Sequence, residues 1–108
     1  MNYITTEQLK EMEEGKNYTI KFVEMINELI ARYPFNNDDF DKRFITSLNK
    51  SRAVGIAVIA TINEYENIST VDELITVGKK FYTLDNILKL QQIETAKLLA
   101  EAKERYKL

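Results

Sequence analysis

Residues 40–65 read FDKRFITSLNKSRAVGIAVIATINEY, and this stretch decides the fold. Phe40, Phe44, Leu48, Ser51, Gly55, Val58, Ile62 and Tyr65 follow one another at spacings of 4, 4, 3, 4, 3, 4 and 3. On a helix these positions make one continuous stripe about 38 Å long at 1.5 Å per residue. The inner run AVGIAVIATI, residues 53–62, is rich in β-branched residues and by propensity alone would suit a strand. The stripe passes through it in phase, so the spacing predicts a helix over about 38–65. Asn37, Asp38 and Asp39 offer an N-cap and an acidic first turn, which favour the positive end of the helix dipole. Ile56, Ala57 and Ala60 lie off the stripe. The helix is therefore expected to be apolar over most of its circumference and to be the most buried element.

Working outward, the segment before it ends at Pro34, which disfavours helical geometry at Tyr33. Phe22, Val23, Ile26, Leu29, Ile30 and Tyr33 share one helical face. The alternation of Tyr18, Ile20 and Phe22 is a competing strand signal, but the helical match is longer. Thr5 and Gln8 form a capping box opening a short helix through Glu14, with Gly15 as its end and Asn17 as the next cap. After the central stretch, Ser69 or Thr70 caps another helix with Asp72 or Glu73 three residues on. Val71, Leu74, Ile75, Gly78, Phe81 and Tyr82 make its stripe. A further stripe of Leu84, Leu88, Gln91, Thr95, Leu98, Ala102 and Tyr106, joined by Ile87 and Leu99, is offset in phase. That offset predicts a kink or break near Tyr82–Asp85 and a long C-terminal helix over about 84–107. The expected fold is all-α: a single domain, residues 1–108, forming an antiparallel bundle of four to five helices.

Composition narrows the chemistry. The 108 residues contain no Cys, no His and no Trp, with 44% apolar and 30% charged residues. Without Cys there is no thiolate metal site or thiol nucleophile, and without His the commonest general base and zinc ligand are missing. The charge is balanced, 15 basic against 17 acidic residues, and no segment is a basic arm or acidic tail. The N-terminus lacks the basic and apolar regions of a signal peptide. The longest apolar run is ten residues, Ala53 to Ile62, against about 20 for a membrane span. A cytoplasmic protein with no membrane span is expected. Twelve Ile, nine Asn and eleven Lys against four Arg point to a low-GC bacterial or phage genome.

Few motifs remain to carry function. Asn37-Asp38-Asp39-Phe40-Asp41 could gather carboxylates around a hard cation, but the calcium-loop Gly and Glu are missing, and a capped acidic helix start explains it better. Arg43 and Lys50, with Lys42 and Arg52 nearby and Lys79 and Lys80 from another helix, form a candidate anion or nucleic-acid patch. An ordinary solvated helix face is the simpler reading of these charges. Ser51 and Gly55 let a neighbouring helix approach closely. Gln91 and Thr95 interrupt the last apolar stripe, either because that helix is central or because a polar seam sets register. Leu90, Ile93, Lys97 and Ala100 add apolar surface outside that stripe and form the candidate protein interface. Phe35 is expected to plug one end of the bundle.

No nucleophile–base pair or glycine-rich phosphate loop is visible, so neither catalytic residues, nor a metal, nor a cofactor are assigned. The expected function is binding of another protein, with a homodimer as one arrangement. A nucleic-acid-associated regulator using the basic face is the second reading. In size and character the chain resembles small accessory regulators, inhibitors and immunity-type proteins of low-GC bacteria and their phages, a likeness of type without a shared motif.

Overall fold

A computed structural model describes residues 5–36 and 38–106. Among them are three helices and no strand: α1 is Thr6–Arg32, α2 is Asp39–Tyr65 and α3 is Val71–Tyr106. The all-α class holds, and α2 occupies the expected stretch. The expected four to five helices become three, because α1 runs through Gly15 and α3 runs through Tyr82–Asp85.

Both corrections have local causes. One glycine inside a helix costs only about 1 kcal/mol. At Gly15 that cost is outweighed because the seam Met12, Lys16, Thr19, Val23 and Ile26 continues past it, and Thr19 Oγ1 donates a 2.8 Å hydrogen bond to the Gly15 carbonyl. In α3 the apparent phase change comes from Ile75 and Tyr82, which are 50% and 71% exposed and lie outside the core stripe. Without them Leu74, Val77, Phe81, Leu84, Leu88, Gln91, Thr95, Leu98 and Ala102 alternate 3 and 4 apart without interruption. Of the positions used above, Asn37, residue 107 and the Tyr106 side chain lie outside the described residues.

The helix starts follow the expected chemistry. Thr5 and Gln8 form the reciprocal capping box of α1. Asp38 caps α2 by accepting from the Asp41 backbone N–H at 2.8 Å. Thr70 Oγ1 accepts from the Glu73 N–H at 3.1 Å, while the Glu73 carboxylate takes the Ser69 N–H.

The middle position belongs to α2. Both α1 and α3 pack on it, and no Cα of α1 comes within 8 Å of one in α3. The chain is 52 Å long and 20 × 19 Å in section. Because α1 and α3 cover only two sides of α2, its remaining side stays open, and Ile56 is 53% exposed, with Ala53 and Ala60 also exposed. The expected burial all round α2 therefore does not occur. Three apolar clusters follow the bundle axis. One holds Ile26, Tyr33, Phe40, Phe44, Leu48, Leu98 and Ala102, with Phe35 packed on it as a plug. The next holds Val58, Ile62 and Leu88, and the last Tyr65, Ile68 and Val77.

Ser51 and Gly55 serve different neighbours. Gly55 faces α1, where a Cβ would lie 2.8 Å from Val23 Cγ2. Ser51 faces α3 and bonds to Thr95. Val23 is β-branched and cannot swing aside freely, so Gly55→Ala should overpack the contact at about 1–3 kcal/mol. That exceeds the roughly 1 kcal/mol gained in helix propensity. A net loss of about 1 kcal/mol in denaturant unfolding is expected. At the other end, burial raises the Tyr65 phenol above its ordinary value of 10.0. The folded state then favours the neutral form, so this contribution to stability is complete below about pH 10 and fades as the pH rises towards the folded-state value. Tyr65→Phe should flatten the alkaline limb of a stability–pH curve.

Candidate protein-binding surface

The outer side of α3 carries large apolar side chains that the fold leaves in solvent. Leu90 is 67% and Ile93 54% exposed, and Lys97 and Ala100 beside them are exposed as well. Their spacing of 3, 4 and 3 places all four on one face. The expected interface residues are thus brought together on a single outward strip. Sequence reading placed Val71, Ile75, Tyr82 and Ile87 in core stripes, whereas all four are exposed on α3. Val71 and Ile75 lie where α3, at 36 residues, outruns the 27 residues of α2.

The polar exceptions in the stripe have a structural role. Thr95 is 2% exposed, and its Oγ1 lies 3.1 Å from Ser47 Oγ and 2.8 Å from Ser51 Oγ. Three hydroxyls from facing helices therefore satisfy one another and pin α3 against α2 in register. Thr95→Val keeps the shape but strands both serines, and should lower stability by about 1–3 kcal/mol. Replacing all three hydroxyls together, as Ser47→Ala/Ser51→Ala/Thr95→Val, should recover part of that loss in the same urea titration. Gln91 is half-buried, and its Oε1 has no hydrogen-bond partner among the described residues. Sequence reading found Thr95 but not Ser47, whose signal was its i, i+4 spacing from Ser51.

The basic residues are only partly assembled. Arg43 and Lys50 line one cleft of about 310 Å³ with Lys42, Thr46, Ser47, Glu94 and Leu98. Lys79 and Lys80 do not join them. Lys80 Nζ pairs with Glu64 at 2.8 Å. Glu64 is 21 residues along α2 from Arg43, or about 32 Å. Glu94 adds an acid to the cleft, and no ring among the described residues lines it, Phe40 and Phe44 being buried. No group of three or more His, Cys, Asp or Glu among the described residues could hold a metal ion. Asp41, expected as part of an acidic helix start, is instead 1% exposed and accepts from Asn36 N–H at 2.5 Å and Tyr33 Oη at 3.3 Å.

A trough runs between α1 and α3, and sequence reading did not find it. One end is lined by Gln8, Glu11, Met12, Gly15, Ile62 and Phe81. The other is lined by Tyr18, Phe22, Met25, Gln92, Ala96 and Leu99, with Thr95 at its floor. The signal was the spacing of Gln8, Glu11, Gly15, Tyr18, Phe22 and Met25, which alternates 3 and 4 and makes a second seam beside the core seam. No helix among the described residues is long and apolar enough to cross a membrane. Comparison with protein-family models, curated proteins and solved structures finds no match.

Proposed function

We propose that this chain is a small non-enzymatic protein-binding protein, a regulator, inhibitor or immunity-type accessory factor, whose working surface is the outer face of α3 around Leu90, Ile93, Lys97 and Ala100. One observation carries the reading. Of the nine large apolar side chains exposed among the described residues, six lie on α3. Such side chains gathered on one element are a common mark of an interaction surface, whereas scattered ones need no explanation. The test compares capture from extracts of the source cells by the wild type and by Leu90→Asp/Ile93→Asp. A discrete protein retained by the wild type and lost by the variant, with the variant's melting curve unchanged, is expected. Identical capture by both would overturn the reading.

The cleft shared by Lys42, Arg43 and Lys50 favours a second reading, in which the chain associates with nucleic acid. Affinity for DNA that falls steeply with salt and vanishes in Arg43→Ala/Lys50→Ala would establish it. Absence of binding at low salt removes it.

A further inference from the structure

We propose that the trough between α1 and α3 is a self-association surface, closed by the same trough of a second copy lying antiparallel to the first. This goes beyond the reading of the outer face of α3, because Leu90 lies on another flank of that helix.

The geometry asks for helices in this place. Both α1 and α3 pack on α2, yet their backbones stay apart, which leaves open the position that a further helix fills in a four-helix bundle. Each helix presents a second row of residues to it. On α1 the row is Gln8, Glu11, Gly15, Tyr18, Phe22 and Met25. Tyr18 is 69% and Met25 39% exposed, so the second half of the row is apolar and uncovered. Gly15 is the second observation. It sits in mid-helix at a cost in propensity, and nothing among the described residues lies within 4 Å of where its Cβ would be. Among the described residues that glycine serves no close contact. On the trough wall it leaves a notch for another backbone.

Complementarity of shape and charge points to a second copy as the occupant. The trough levels Phe22 of α1 with Thr95 and Ala96 of α3. A two-fold axis across the trough near Tyr18 would exchange its ends. Gly15 would then face the small residue Ala96 of the second copy, and Glu7 would face its Lys103. The start of α1 is acidic, with Glu7, Glu11 and Glu14 against Lys10, while on the facing flank of α3 Asp85 and Lys89 pair with each other and Lys103 is left as the free cation among the described residues. Neither Glu7 nor Lys103 has an ion-pair partner among the described residues. From Gln8 to Met25 the trough is about 26 Å long.

Light scattering of the full chain across a concentration series is the test. The expected particle has twice the 12.6 kDa of the chain. Gly15→Leu should weaken association, since its side chain fills the notch, where nothing among the described residues lies within 4 Å of the Cβ position. Lys103→Glu should weaken association roughly tenfold by turning two attractions into repulsions, and adding Glu7→Lys should restore it. Leu90→Asp should leave the mass unchanged. A wild type that stays at 12.6 kDa throughout overturns the proposal and leaves the reading of the outer face of α3 intact. A dimer that Leu90→Asp dissociates, that Gly15→Leu spares, or that the double charge reversal fails to restore overturns it as well.

Discussion

Phe44→Ala should destabilise the chain by about 3–5 kcal/mol. Phe44 is 0% exposed and sits at the centre of the cluster that joins all three helices. Its ring meets Tyr33 edge-on at 5.0 Å, with Phe35 at 5.9 Å and Phe40 at 6.0 Å. Truncation removes apolar burial and opens a cavity that those neighbours cannot fill. Tyr33 is held through its hydroxyl, and the guanidinium carbons of Arg43 and Arg105 lie 5.9 and 5.0 Å from the centre of the Phe40 ring. For a chain of this size each kcal/mol moves the melting temperature by about 4–8 °C, so a fall of more than 10 °C is expected in thermal melts. Phe44→Leu, which keeps most of the volume, should lose less than half as much.

Asp41→Ala should cost about 2–4 kcal/mol, although it removes only a small side chain. The carboxylate is buried and takes hydrogen bonds from the Asn36 N–H and the Tyr33 hydroxyl, closing the link between α1 and α2. Without it those donors lose their acceptor beside an apolar cluster. Tyr33→Phe removes one donor and leaves the carboxylate its other bonds, so it should cost about 1 kcal/mol. The difference between the two variants, read from urea midpoints, separates the carboxylate's role from that of the ring. Next to it, the pair between Arg105 and Asp38 ties the end of α3 to the cap of α2. It is partly exposed and should contribute well under about 1 kcal/mol.

How much of this was legible depends on how local each signal is. The boundaries of α2, the capping box at Thr5 and the cap before α3 rest on neighbouring residues, and the sequence shows them. The break expected at Gly15 arose from reading a glycine followed by a capping residue as a helix end, and the break near Tyr82 from treating every apolar residue as a core residue. Ile75 and Tyr82 face solvent, so including them shifted the apparent phase of α3. Asp41 reads as a partner of the helix dipole, and only the turn from Tyr33 to Asn36 folding back over it reveals a buried acceptor. Leu90 and Ile93 were legible because they fall outside a stripe already full. The trough was not, since its row on α1 overlaps the core seam and becomes distinct only when α3 is seen to stand off from α1.

The claim on which the rest depends is that the outer face of α3 is exposed in order to be covered by protein. Photocrosslinking from that face tests it most directly. A photoreactive phenylalanine analogue placed in turn at Leu90 and at Ile93, with Lys21 on the exposed side of α1 as reference, is irradiated in the source cells. Discrete protein adducts from positions 90 and 93, absent from position 21, are the expected result. No adduct from either α3 position, or the same adducts from all three, would contradict it.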